Sequence, residues 1–236
     1  MKEWTRLHCY TLNTLEMITF RGQKRQDIWV TQILGEKTNG YFVDLAAADG
    51  ITHSNTHFLE KEYLWDGICI EPNPVFFDSL KAERNCICEN LAISNRNEVV
   101  DFRIDNGQCG GIVADDTDNN IKTRSGQLKT AEIIQVQANT LEYVLDKHQA
   151  PSIIDYLSLD IEGSEERVIE NFNFDKYRFN CITIERPTKL VNDTLFRNGY
   201  VFVKNYQYDS FYVHEEIQLK YSIYCDYFEQ LPKKNK

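Results

Sequence analysis

The chain has 236 residues, of which 42% are hydrophobic and 26% charged, and its formal net charge is −10. This composition is typical of one soluble globular domain, and the lack of an apolar run of about 18 residues excludes a transmembrane helix. The first twenty residues contain no apolar signal core, so we expect a cytoplasmic protein without a membrane partner. The acidic charge argues against a nucleic-acid partner, which would require a basic surface.

In chain order, the sequence predicts a helix at 26–37, a strand at 41–47, a helix through Phe58 and Leu64, a strand at 66–72, a helix at 73–84, a strand at 85–94 and an edge strand at 98–104. After an irregular stretch at 105–130, it predicts a strand at 132–137, a helix through Leu141 and Leu145, a strand at 152–160, a helix at 163–172, a strand at 180–186 and two strands within 199–217. Strands that alternate with helices are typical of a parallel sheet covered by helices.

Two helix starts carry strong local signals. Asn73 precedes Pro74, which places an N-cap residue before a proline in the first helical position. Ser164 is followed by two glutamates, so we predict it as the cap of the helix at 163–172.

The seven cysteines and five histidines show neither a disulfide framework nor a metal-binding spacing. Cys86 and Cys88 are separated by one residue within an apolar run, as on one face of a strand, and no second pair follows at zinc-finger spacing. We therefore interpret the cysteines as small buried hydrophobic residues of a reducing compartment.

The stretch GYFVDLAAADG predicts a strand and a tight turn that retains one glycine, Gly50. A dinucleotide site needs several glycines around its pyrophosphate, so this turn is a poor NAD site. S-adenosylmethionine has no phosphate, and small residues such as Ala46 and Ala47 allow the close approach that it needs. Asp44 or Asp49 would offer a carboxylate to the ligand's ammonium group, the alternative being that each caps the next helix. Gly50 takes the position that most requires a positive φ.

A second candidate is Glu71, which ends the second predicted strand about twenty residues beyond the turn. A carboxylate accepts two hydrogen bonds side by side, which is what the cis-diol of a ribose supplies. Pro72 and Asn73 follow in the motif EPNP and are predicted to belong to the same cofactor contact.

A third candidate is a group of acids near the end of the strand at 152–160. Alternate residues share one face of a strand, so Asp160 and Glu162 lie together at its carboxyl end, where open α/β sheets bind ligands. Glu185 ends the next predicted strand and joins them. Three oxygen ligands suit a hard divalent ion, so we predict Asp160, Glu162 and Glu185 as ligands of Mg²⁺. The alternative is that the acids neutralise the start of the following helix.

The segments GYFVDLAAADGITHSNTHFLEK, GICIEPNP and IDYLSLDIEGSE together resemble the FkbM family of S-adenosylmethionine-dependent methyltransferases, in order from about Gln26 to about Tyr212. The resemblance implies an α/β, Rossmann-like class I methyltransferase fold. In that fold a seven-stranded, mostly parallel sheet has helices on both faces and an antiparallel last strand. It also implies O-methylation, commonly of hydroxyls on sugars or secondary metabolites. The family usually has glycine where Ala46 stands, and a Cβ there costs about 1 kcal/mol if the backbone is left-handed.

Further site residues follow from the resemblance. Asn90 and Ala92 close the third predicted strand, where such enzymes usually hold the adenine. Asn55 is assigned to the cofactor, and so is Gln26, for which a role on the helix surface is the alternative. Residues 26–213 would form the core of a single domain, with an extension at 1–24 and a tail at 214–236.

An alcohol is a weak nucleophile until its proton is removed, so a base or a metal ion must lie beside the acceptor. Asp160 is the first candidate for either role, and Glu162 and His53 are further candidates, with a helix-cap role open for His53. The irregular stretch at 105–130 is expected to shape the acceptor pocket. Aromatic residues near the C-terminus are candidates to stack on sugar rings or to pack within the fold, namely Tyr206, Tyr208, Phe211, Tyr212, Tyr221, Tyr224, Tyr227 and Phe228.

Two other classes of function stay open. Ala46 and Ala48 would fit a protein that binds S-adenosylmethionine but has lost its catalytic site. An NAD-dependent enzyme that modifies sugars shares the fold and the ribose-binding glutamate, although the missing glycine fingerprint weighs against it. Methyl transfer to nitrogen is open within the leading class.

Overall fold

The computed structural model describes residues 20–120, 122 and 124–217. Its strands are β1 (Tyr41–Leu45), β2 (Asp66–Ile70), β3 (Ile87–Glu89), β4 (Ala92–Ile93), β5 (Glu98–Arg103), β6 (Gly111–Ile112), β7 (Ile133–Asn139), β8 (Ile153–Leu159), β9 (Arg178–Glu185), β10 (Tyr200–Tyr206) and β11 (Asp209–His214). Its helices are α1 (Gln26–Ile33), α2 (His57–Tyr63), α3 (Pro74–Glu83), α4 (Ser125–Leu128), α5 (Leu141–Lys147), α6 (Glu165–Ile169) and α7 (Lys189–Arg197), with a 3₁₀ turn at Gly107–Cys109.

The main sheet has seven strands in the order β3-β2-β1-β8-β9-β11-β10. Neighbouring strands from β3 to β9 are parallel, whereas β11 runs antiparallel to both β9 and β10. The predicted seven-stranded sheet with its antiparallel last strand is therefore confirmed. β1 and β8 lie side by side at the centre, where the strand order reverses, which is where open α/β sheets bind ligands.

The central strands are buried on both faces because helices pack on each side. β8 and β9 are buried along nearly their whole length, as expected for parallel strands covered on both faces. One core joins the sheet to α5, α6 and α7, and the other joins it to α1, α2 and α3. The prediction of helices on both faces is confirmed, although α7 was not predicted.

A second sheet has the order β4-β7-β5-β6 and carries a small core of its own. β5 lies inside this sheet, with β7 antiparallel on one side and β6 on the other. The prediction that residues 98–104 form an edge strand is therefore wrong. The partner strand β7 begins about thirty residues further along the chain, and local sequence carries no signal for such distant pairing.

One of the two predicted helix caps is confirmed, and a further cap is present at α5. The Asn73 side chain accepts a hydrogen bond from the Val75 N–H at 3.0 Å, and Thr140 caps α5 through the Tyr143 N–H at 3.2 Å. Ser164 occupies the N-cap position of α6, but its hydroxyl makes no capping hydrogen bond. The prediction that Ser164 caps this helix is therefore wrong at the level of the side chain.

The predicted extension at 1–24 and tail at 214–236 fall mostly outside the described residues, so the single-domain division stays a prediction. Tyr221, Tyr224, Tyr227 and Phe228 also lie outside them. None of the helices in the described part of the chain has the length and apolarity needed to cross a membrane.

Arg84 links three elements of the fold through one fully buried guanidinium. Its Nε donates to Glu60 of α2 at 2.7 Å, and its other nitrogens donate to the Thr56 hydroxyl at 3.0 Å and the Gly50 carbonyl at 3.3 Å. Thr56 in turn donates to the Asp44 carboxylate of β1 at 2.6 Å. The turn after β1 is thus fixed from behind by a single charged side chain.

We expect Arg84→Met to lower the free energy of unfolding by about 3–5 kcal/mol, because it removes the buried partner of the Glu60 carboxylate and leaves it only the partly exposed Lys61 at 2.9 Å. Urea denaturation measures the change. Arg96→Met is the matched control, since the exposed Arg96–Glu98 pair contributes about 0–1 kcal/mol. A loss below about 1 kcal/mol for Arg84→Met would contradict the role of this network.

Candidate active site

Two adjoining cavities open at the carboxyl ends of the central strands. The first is here called the apolar cavity, and its walls include Glu71, Phe76, Ala92, Phe102, Ile112 and Ile161. The second is here called the acidic cavity, and its walls include Asp44, Asn55, Asp160, Glu162, Glu185 and Tyr208. The cavities meet at Leu45, Ala46 and Gln108, which line both.

The turn after β1 is tight because two successive N–H groups share one acceptor. The N–H groups of Ala46 and Ala47 both donate to the Ile70 carbonyl, at 2.9 and 3.0 Å. Ala46 and Ala48 have φ values of 66° and 47°, and Gly50 has a φ of 80°. The expected positive φ at Gly50 is confirmed, and the Ala46 backbone is left-handed, so its Cβ is strained.

Glu71 is buried at the end of β2 and lines the apolar cavity. One carboxylate oxygen accepts from the Ala48 N–H and the other from the Asn73 N–H, each at 2.8 Å. Burial raises the pKa of Glu71 to about 7, against the effect of these two hydrogen bonds. Each oxygen keeps a second lone pair, so the carboxylate can hold the turn and still accept from a ligand.

The other residues assigned to the cofactor near β2 and β3 differ in position. Pro72, Asn73 and Ala92 line the apolar cavity. Asn90 does not line either cavity; its amide donates to the carbonyls of Glu71, at 2.8 Å, and Pro72, at 3.1 Å. Asn90 therefore supports the backbone that carries the glutamate.

Asp49 also turns inward, towards its own loop. Its carboxylate accepts from the N–H groups of Ile51 and Thr52 and from the Thr52 hydroxyl, all within 2.9 Å. Neither Asp49 nor Gly50 is among the residues that line the two cavities. Both residues shape the turn from its far side.

Three assigned residues line the acidic cavity beside the turn. Asp44 is buried, and this burial raises its pKa. Gln26 is buried as well, and its amide donates to Asp209 at 2.8 Å, so it does not lie on the helix surface. The Asn55 amide donates to the Ser158 hydroxyl at 3.0 Å.

The acids predicted at the ends of β8 and β9 come together. Asp160, Glu162 and Glu185 each place a carboxylate oxygen within 4.8 Å of the others. Asp160 is open to the cavity, and its pKa is raised well above the usual range by loss of hydration and then by the charges of Glu185 and Glu162. Arg186 is the nearby cation and lies 2.6 Å from Glu185 and 3.5 Å from Glu162. Three carboxylate oxygens at this spacing fit one hard divalent ion.

His53 lies at the mouth of the acidic cavity. Its Nδ1 is 3.0 Å from the Gln108 amide oxygen, and the Gln108 amide nitrogen donates to the Thr52 carbonyl at 3.1 Å. The irregular stretch predicted at 105–130 therefore reaches across the cleft. Sequence reasoning expected this stretch to be functional, but it did not single out Gln108.

The strand order and the position of the cavities together define the class of this protein. The seven strands have the order and directions of the class I methyltransferase fold, and both cavities lie at its ligand-binding edge. The sequence matches the methyltransferase FkbM domain over residues 44–209. The chain belongs to the FkbM methyltransferase family.

Solved structures similar to this chain include a METTL16 methyltransferase domain, with 10% identity and a TM-score of 0.44. The alignment covers 81% of this chain and 66% of that one. The methyltransferase FkbM from Methylobacillus flagellatus KT has 12% identity and a TM-score of 0.44, and the alignment covers 75% of this chain and 44% of that one. The precorrin-6y C5,15-methyltransferase from Geobacter metallireducens GS-15 has 11% identity and a TM-score of 0.39, and the alignment covers 85% of this chain and 90% of that one. No curated protein matches the sequence significantly.

We expect Ala46→Gly to raise the free energy of unfolding by about 1 kcal/mol, because glycine adopts the left-handed conformation without strain. Thermal and urea unfolding measure the gain. Ala150→Gly is the control: Ala150 does not have a positive φ, so the same change there should lower stability. Equal losses in both variants would show that the Ala46 backbone is not strained.

Proposed function

We propose that this protein is an S-adenosylmethionine-dependent O-methyltransferase that acts on a hydroxyl group of a sugar, a glycan or a related small molecule. The observation that carries the proposal is the pair of joined cavities, with Glu71 in the apolar one and Asp160 in the acidic one. This arrangement offers a nucleoside site and a proton acceptor on the two sides of Ala46. Membership of the FkbM family supports the same reaction class.

The residues that line the two cavities fit S-adenosylmethionine. Glu71 would accept hydrogen bonds from the ribose hydroxyls through its free lone pairs, and Pro72 and Ala92 would contact the adenine. Asp44 and Gln26 would face the amino-acid end from the acidic cavity. When bound, S-adenosylmethionine supplies an electrophilic methyl group on a positively charged sulfur. A wall of carboxylates is electrostatically complementary to that charge.

Asp160 is the base in this proposal. Its raised pKa makes its ionised form a stronger base than an ordinary aspartate, which favours removal of a hydroxyl proton. The proton passes from the acceptor oxygen to the Asp160 carboxylate, and Glu162 lies close enough to share it. His53 is the second candidate base, with its Nδ1 engaged by Gln108.

We expect Asp160→Asn to lower turnover at least about 100-fold, because the amide cannot take the proton. S-adenosylhomocysteine affinity, measured by calorimetry, should change less than about twofold, since Glu71 and the apolar cavity are intact. Asp193→Asn is the control, because Asp193 lies on the exposed side of α7, paired with Lys189. Normal turnover in Asp160→Asn would defeat the assignment of the base. Binding heat without turnover in the native protein would favour the S-adenosylmethionine-binding protein that has lost its catalytic site, and no heat at all would overturn the cofactor assignment.

Mg²⁺ bound by Asp160, Glu162 and Glu185 is the second part of the proposal, supported by the spacing of their oxygens. In that case the ion would lower the pKa of the acceptor hydroxyl beside Asp160. We expect a chelator to lower turnover at least about tenfold and added Mg²⁺ to restore it. Glu185→Gln should raise the Mg²⁺ concentration that gives half-maximal rate. Full turnover in the presence of the chelator would rule out the metal.

A sugar acceptor is supported by the rim of the acidic cavity. Tyr208 is exposed there and also lines a neighbouring groove with Asn205 and Ser210. An exposed aromatic ring beside amide and hydroxyl groups suits a sugar, which has both an apolar face and many hydroxyls. A screen of sugar acceptors by mass would identify the product, and methylation of amines alone would overturn O-methylation.

The NAD-dependent alternative can be tested directly, and the charge and the cysteines bear on the partner and the compartment. Titration with a nicotinamide dinucleotide tests the NAD-dependent alternative, which predicts heat where the methyltransferase gives none. The charge of −10 supports a partner other than a nucleic acid. The cysteines of the described part are free thiols, which supports a reducing compartment such as the cytoplasm.

A further inference from the structure

Ser164 is a buried polar residue whose hydroxyl has no partner in the protein. Only 1% of the residue is exposed, and no group lies within hydrogen-bond reach of its Oγ. Buried hydroxyl groups are almost always hydrogen-bonded, because losing water without a replacement is costly. Ser164 is one of the residues that line the apolar cavity, so a ligand in that cavity can supply the missing partner.

The Ser164 hydroxyl does not stabilise the turn or the helix that contains it. Ser164 stands at the N-cap position of α6 without a capping hydrogen bond. The neighbouring Glu165 carboxylate instead accepts from the N–H groups of Ile161, at 3.0 Å, and Gly163, at 3.3 Å. The turn between β8 and α6 is thus held by a glutamate, which leaves the serine hydroxyl free for another role.

The other polar side chains of the apolar cavity are already engaged. Asn73 accepts from Val75 and lies 3.4 Å from the Ile104 carbonyl. Glu71 holds two backbone N–H groups, and Gln108 spans the cleft. Much of the remaining wall is apolar and includes Phe76, Ile93, Phe102, Ile112 and Ile161. An apolar cavity with one unpaired hydroxyl suits a flat heterocycle with hydrogen-bonding atoms on its edge.

We propose that Ser164 is a ligand-binding residue whose Oγ forms a hydrogen bond with the adenine ring of the bound cofactor. The inference rests on the proposed function, because it takes the cofactor to be adenosine-bearing. A serine hydroxyl both donates and accepts, so it can serve a ring nitrogen or the 6-amino group. Ser164 thereby adds selectivity for the base, whereas Glu71 serves the sugar.

Removal of the hydroxyl has a signature that a structural serine would not give. We expect Ser164→Ala to bind S-adenosylhomocysteine about tenfold more weakly by calorimetry, because one ligand hydrogen bond is lost. The melting temperature without ligand should stay unchanged or rise, since the deleted group is buried and unpaired. Affinity and stability therefore move independently.

Ser94→Ala is the matched control. Ser94 is equally buried, lies outside both cavities, and its hydroxyl donates to Glu98 at 3.0 Å. This variant should melt at a lower temperature and keep the native affinity. If Ser164→Ala does not fold, Ser164→Cys replaces it, because a thiol of similar size is a much weaker hydrogen-bonding group.

A set of S-adenosylhomocysteine analogues, each lacking one ring nitrogen or the 6-amino group, completes the test. One analogue should lose affinity for the native protein but show no further loss with Ser164→Ala, since both changes delete the same bond. Additive losses for every analogue would overturn the base contact, as would native affinity in Ser164→Ala. No binding of S-adenosylhomocysteine to the native protein would instead overturn the proposed function.

Discussion

The buried guanidinium of Arg84 is the constraint on which the cleft depends. It holds the Gly50 carbonyl and the Thr56 hydroxyl, and Thr56 holds Asp44. The turn after β1 can therefore keep residues with a Cβ in left-handed conformations, because it is fixed from behind. Glu71 fixes the same turn from the front by accepting from the Ala48 N–H. The shape of the junction between the cavities is thus determined by two charged residues on opposite sides of one loop.

Buried acids in and around the cleft lower the stability of the fold when they ionise. Burial raises the pKa of Glu71 and Glu165 to about 7 and that of Asp209 to about 6. An acid with a raised pKa binds more protons in the folded than in the unfolded state. The stability that such an acid contributes is therefore full at a pH below its unfolded-state pKa, and it is lost as the pH rises through the folded-state pKa of about 6–7. A site that is strained when ionised is suited to a positively charged ligand.

Much of the site could be predicted because it follows from strand periodicity and from chain order. Alternation along β8 placed Asp160 on the ligand side, and the carboxyl ends of parallel strands brought Glu185 beside it. The sequence did not reveal that β5 pairs with distant β7, because that pairing depends on tertiary contacts. It also assigned the Ser164 hydroxyl to a helix cap, since a capping pattern does not show which hydrogen bonds the side chain makes in the folded turn.

Gln108 belongs to the walls of both cavities, which has a consequence for how two ligands bind. A molecule in either cavity changes the surroundings of this side chain and of its contacts with Thr52 and His53. Any shift of Gln108 caused by the first ligand alters the free energy of binding the second. Thermodynamic reciprocity requires the second to act equally on the first. Under the proposed function, the amide at this shared boundary would couple the binding of the cofactor to the binding of the acceptor.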